Sequence, residues 1–144
     1  MFPGIDRLKM LTIQDVMSRR VVEISASLTM REAAEAFSQG DVNSAPVVDD
    51  QGRCVGMLSA ADFIKRERPQ ASDMVRDYMS AGLRFVMADE SLLHAARVML
   101  KEHIHHLPVL EDERPIAVLS TMDIVAVLIN AVEEVEVQLA PRDD

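Results

Sequence analysis

The chain has no tryptophan, one tyrosine and four phenylalanines, so Val, Leu, Ile, Ala and ten Met must build its interior. Cations are also short. Fifteen Lys and Arg face 24 Asp and Glu, a net charge of −9. That balance argues against nucleic acid, whose binding leans on phosphate neutralisation, and against an anionic membrane surface. No basic stripe interleaved with aromatics offsets it. Cys54 is alone, which excludes an internal disulfide and makes reducing cytoplasm the default compartment. Flanked by Val55 and Gly56, it reads as a small buried hydrophobe. The five glycines form no phosphate cradle, and there is no P-loop, dinucleotide fingerprint or nucleophile–base arrangement. Catalysis is therefore not expected. The opening MFPGIDRLKM lacks the apolar core of a signal peptide, and no apolar run approaches membrane-spanning length.

What is present is written twice. DVMS (Asp15–Ser18) recurs as DYMS (Asp77–Ser80) at an offset of 62 residues. The same offset carries Ala33-Ala34 to Ala95-Ala96 and Pro46-Val47 to Pro108-Val109. One residue is then lost in a turn, so Ser59 and Asp62 map to Ser120 and Asp123. This many ordered anchors mark a tandem duplication.

Each copy reads as strand, helix, strand, strand, helix. VVEI (Val21–Ile24) and RFVM (Arg84–Met87) are short strand candidates. Thr29 and Ser91 are placed to cap the helices that follow, with Met30, Ala33, Ala34 and Phe37 in one copy and Leu92, Ala95, Ala96, Met99 and Leu100 in the other at helical spacing. Gly40 is placed to stop the first helix. APVV and LPVL then pair through polar turns with CVGML and IAVL, and a last helix follows Ser59 or Ser120. Half such a unit leaves a sheet face bare, so the copies should share a core. The expected division is an N-terminal segment (1–13), a first repeat (14–66), a linker (67–74), a second repeat (75–128) and a C-terminal helix extension with tail (129–144).

In both copies Ser-x-x-Asp sits where a buried strand hands over to a helix. Free N–H groups and partial positive charge meet there, so anionic or polar ligand groups are welcome. A carboxylate accepting two hydrogen bonds matches the adjacent hydroxyls of a ribose. The same four residues also make an ordinary helix cap worth ~0.5–2 kcal/mol. Both readings stay open at this point.

With the text SAPVVDDQGRCVGMLSAADFI (Ser44–Ile64) and HLPVLEDERPIAVLSTMDIV (His106–Val125), each preceded by MS and a short strand, the chain resembles the tandem cystathionine-beta-synthase (CBS) domain pair, or Bateman module. The resemblance implies an α/β (α+β) fold of two β-α-β-β-α repeats related by a pseudo-twofold axis. It implies clefts between them for AMP, ADP, ATP or S-adenosylmethionine, with no required cofactor. It further implies a homodimer, and regulation of an enzyme or transporter rather than catalysis. By position, Asp62 with Ser59 and Asp123 with Ser120 would face ribose and phosphate. Val21, Val22 and Ile24, and Leu83, Arg84 and Val86, would offer backbone to adenine. Asn43 and Ser44, and His105 and His106, would face phosphate. The second copy's histidines favour its site for a nucleotide phosphate, leaving the first vacant or for an uncharged adenosyl group. Ala117 in place of Gly56 is expected to narrow the second copy's cleft. Arg20, Lys101 and Arg114 are candidate counter-charges.

The run HIHH (His103–His106), with His94 upstream, invites a metal reading, but no Cys or acidic partner stands at ligand spacing. The stretch Thr121–Ala140 continues as an apolar-faced helix through Ile124, Val125, Leu128, Val132, Val135 and Leu139, packing on its own module or on a second copy. The expected function is a stand-alone, cytoplasmic regulatory module binding an adenosine derivative. The alternatives are a structural dimerisation adaptor with degenerate, empty clefts and, more weakly, a metal-binding or enzymatic role of the histidines.

Overall fold

The computed structural model describes residues 3–64 and 70–139, with side chains described as far as Glu133. Residues 65–69, which span the end of the first repeat and the start of the linker, the tail and the side chains of Val135 and Leu139 lie outside the described residues. The elements run α1 (Pro3–Met10), β1 (Ile24–Ser25), α2 (Met30–Gly40), β2 (Ser44–Val48), β3 (Cys54–Ser59), β4 (Val86–Met87), α3 (Leu92–Glu102), β5 (His106–Glu111), β6 (Arg114–Ser120) and α4 (Thr121–Leu139). Two three-stranded sheets result, β1-β2-β3 and β4-β5-β6. In each, the first pair is parallel and the second antiparallel. This is the mixed α+β tandem architecture expected from the duplication.

Local chemistry sets the elements. Thr29 caps α2 by accepting from Glu32 N–H at 3.2 Å, and Glu32 returns the bond to Thr29 N–H at 3.1 Å. Ser91 accepts from His94 N–H at 3.0 Å, starting α3. β2 and β5, central in their sheets, are buried along nearly their whole length. The edge strand β6 alternates, its buried positions being Pro115, Ala117 and Leu119. The β5–β6 hairpin closes on Asp112 and Glu113, both at positive φ (51° and 66°). That is the tight two-residue turn whose twist suits the strands.

Several expectations need correction. The first copy's last helix is a single 3-10 turn over Ala60–Phe63, with Ile64 leaving the helical region at φ −123°, ψ 16°. Its Phe63 ring packs edge-on against Phe37 with centroids 5.8 Å apart. The first strands are only two residues long, because only Ile24-Ser25 and Val86-Met87 find register on β2 and β5. Gly40 does not end α2 by adopting positive φ. It is the last helical residue, and Asp41 takes the left-handed turn at φ 52°. Gly40 is small for another reason: a Cβ there would lie 2.8 Å from Val22 Cγ2.

The copies do not share one core as expected: two separate cores form, and they match position for position. Ile24, Met30, Ala33, Phe37, Ala45, Val47 and Leu58 fill the first, and Val86, Leu92, Ala95, Met99, Leu107, Val109 and Leu119 fill the second. Each core is completed by a residue from beyond its own repeat. Ile13 is fully buried in the second core, and Val75 in the first. Hydrogen bonds fix the exchange. Ile13 and Gln14 N–H donate to Glu90 and Ala88 carbonyls at 2.9 Å, and Val75 N–H donates to Leu28 at 2.9 Å. Paired bridges Thr12–Ser91 and Thr29–Met74 repeat the pattern. The N-terminal segment and the linker therefore cross over, and α1 packs on α4.

α4 uses two faces. Ile124 and Val127 pack on the second core and Ala131 is buried, whereas Val125, Leu128, Ile129 and Val132 remain 43–50% exposed.

Candidate functional site

At the end of β3, Ser59 N–H donates to Asp62 Oδ2 at 2.8 Å and the Ser59 hydroxyl points to the same oxygen at 3.4 Å. At the end of β6, Ser120 N–H donates to Asp123 Oδ2 at 2.8 Å, and Asp123 N–H returns a bond to Ser120 Oγ at 3.2 Å. Both aspartates thus perform the capping job that the bland reading assigned them. They differ in exposure: Asp62 is buried and Asp123 only half-buried. Asp123 Oδ1 takes no hydrogen bond from a described residue.

Two clefts open between the repeats, of about 1330 and 390 Å³. Each combines the motif serine of one repeat with the extended stretch before β1 or β4 of the other. The larger joins Arg19, Arg20, Val21 and Val22 to Ser120 and His106, floored by Phe37 and Phe63. The smaller joins Ser80, Gly82, Leu83 and Arg84 to Ser59 and His105. Asn43, Ser44, Ala60 and His106 line both, so the two share a wall.

Sequence position alone pairs neither motif serine with a particular approach segment. The fold sets Ser120 beside Val21 and Val22, because the approach segments cross between repeats. Asp62 and Asp123 stand behind their serines and line neither cleft. Ile24 and Val86 are fully buried core residues, since pairing with Val47 and Val109 turns them inward. Among the candidate cations, Arg20 lines the larger cleft, whereas Lys101 and Arg114 line neither. Arg19, Phe37 and Phe63 were missed. An adjacent Arg19-Arg20 pair just ahead of a strand, in so acidic a chain, was the available signal.

The four histidines disperse. His94 Nε2 lies 3.1 Å from Glu90, His103 takes the left-handed turn after α3, and His105 and His106 sit at the start of β5. Among the described residues no three His, Cys, Asp or Glu side chains gather as a metal site. Burial pushes the Cys54 thiol up, away from the reactive thiolate. Burial, reinforced by His105 and opposed by Asp123, pushes the His106 imidazole down from its ordinary 6.5. Above that pH both folded and unfolded chains hold it neutral, so it adds no pH dependence. As pH falls through about 6.5 the unfolded chain is protonated first, and stability falls. Urea midpoints measured from pH 8 to 5 should show this loss, and His106→Gln should remove part of it.

Comparison with known proteins assigns the architecture. The CBS domain model matches residues 13–68 and again 75–130. The chain belongs to the CBS domain family, as a tandem pair. An uncharacterised protein of Methanocaldococcus jannaschii, MJ1225, is 22% identical over 118 residues, covering 81% of this chain and 42% of that protein. The chain thus spans about two fifths of that relative. The CBS domain pair of protein MJ0100, solved with 5′-methylthioadenosine and S-adenosyl-L-methionine, superposes with a TM-score of 0.75 at 22% identity, covering 83% of this chain and 96% of that one. CBSX2, solved with AMP, gives 0.72 at 25% identity, covering 83% and 97%. No helix among the described residues is long and apolar enough to cross a membrane.

Proposed function

We propose that this chain is a non-catalytic regulatory module that binds an adenosine-containing ligand (AMP, ADP, ATP or S-adenosylmethionine) in the clefts between its repeats. The bound state passes to a partner enzyme or transporter in the cytoplasm. The observation that carries this reading is the composite cleft: apolar Val21 and Val22 from one repeat oppose Ser120 and His106 from the other. Adenine fits against the apolar stretch and polar groups against the opposite wall. Ribose hydroxyls would meet Ser120 on that wall, with Asp123 bonded directly behind it and its Oδ1 taking no hydrogen bond from a described residue. The adenosyl ligands held by the MJ0100 and CBSX2 pairs support the same use here. Because both repeats wall each cleft, a ligand that prefers one arrangement of the repeats shifts the population towards it. The exposed apolar face of α4 is the natural contact with a second copy or the partner.

Calorimetry with AMP, ATP and S-adenosylmethionine tests this. Micromolar-range binding of at least one is expected, and Asp123→Ala should weaken it about tenfold, the scale of one hydrogen bond to a charged group. Acidification from pH 8 to 6 should tighten a phosphate ligand, since the anion favours the His106 imidazolium.

The rival reading is an adaptor with unused clefts, favoured by the engagement of both motif aspartates as caps. Absence of heat and of thermal shift with every adenosyl compound would select it.

A further inference from the structure

The two clefts have diverged, and three paired positions show how. The first is Gly56 against Ala117. Gly56 lets the second repeat's approach segment lie directly on β3: Met57 and Ser80 exchange backbone hydrogen bonds of 3.1 and 2.9 Å. A Cβ at Gly56 would stand 2.6 Å from the Ser80 carbonyl and 2.9 Å from Met79 Sδ, so no larger residue permits that approach. At the duplicate position Ala117 carries a buried Cβ, and among the described residues no bridge joins Val118 to Ser18. The cleft lined by the first repeat's segment is the larger one.

The second and third pairs concern charge. Arg84, on the small cleft, lies 3.4 Å from Glu102 and is neutralised. Its duplicate positions on the large cleft are Val22 and Gly40, with no acid to match Glu102. In place of a paired arginine, that cleft carries Arg19 and Arg20, neither of which has a carboxylate partner among the described residues. Among the described residues Asp41 is the one acidic residue on its wall. Two unpaired guanidiniums beside a polar wall, in a chain of charge −9, form a local anion site, because guanidinium holds phosphate by paired, charge-assisted hydrogen bonds. The small cleft is walled instead by Met57, Leu83 and Ile104.

We infer that the clefts divide ligands by charge: the large cleft takes a phosphate-bearing adenosine, its phosphate against Arg19 and Arg20, and the small cleft takes an uncharged adenosyl group. This rests on the adenosyl reading above and adds the ligand class of each cleft.

The test uses the full chain with two probes, AMP and 5′-methylthioadenosine, titrated singly and each in the presence of saturating amounts of the other. Both should bind, without displacing one another. The double variant Arg19→Ala, Arg20→Ala, altering exposed side chains, should weaken AMP by about tenfold to a hundredfold and leave the thioether within about twofold. Leu83→Glu should do the reverse. Competition of the two probes for one site, or equal loss of both in the arginine variant, overturns the division while leaving the adenosyl reading in place. Failure of both probes to bind the unaltered chain overturns that reading and the division with it.

Discussion

Replacing Ile13 with alanine should destabilise the protein by about 2–5 kcal/mol, the cost of emptying a fully buried large aliphatic site. The loss should fall on the second repeat, although Ile13 precedes the first. Its side chain lies among Val86, Leu92, Leu107 and Val109, and its backbone is tied to Glu90. Hydrogen exchange should therefore lose protection first in β5 and β6. Val75→Ala should do the converse in β2 and β3, at lower cost because fewer atoms are removed. Urea denaturation measures the sizes, and exchange locates them. Loss confined to the first repeat on Ile13→Ala would contradict the crossover.

Asp62→Ala should cost about 1–3 kcal/mol, the penalty for removing a buried, charged hydrogen-bond partner. The Ser59 N–H loses its 2.8 Å acceptor, and a carboxylate only 2% exposed leaves a polar void. Asp123→Ala removes the equivalent bond at a half-buried site, where water can replace the acceptor, so its stability loss should be smaller. The two substitutions should thus separate by readout: Asp62→Ala in thermal stability, Asp123→Ala in ligand affinity. Equal thermal losses would show that the exposure difference has no energetic meaning.

The duplication made much of the fold legible. Thr29 and Ser91 cap their helices as their residue types require, and the Pro-Val segments are the buried central strands that their unbroken apolar character implies. The crossover was not legible, for a physical reason. Hydrophobicity says that Ile13 and Val75 are buried, but two near-identical cores offer them equivalent berths, and the pattern cannot choose between them. The same ambiguity left the pairing within the site open. The motif serines belong in clefts, but which approach segment faces each depends on the crossover. The shortened helix after Ser59 was hidden too, because AADFI reads as helical until Phe63 turns onto Phe37. The backbone pairing of Met57 with Ser80 lay beyond reach too, since it turns on one missing Cβ at Gly56.

A crystal structure grown with AMP puts the composite cleft to its most direct trial. Density is expected in the larger cleft, with adenine against Val21 and Val22, ribose towards Asp123, and phosphate beside Arg19 and Arg20. Well-ordered crystals that leave both clefts without ligand density at saturating AMP would contradict it.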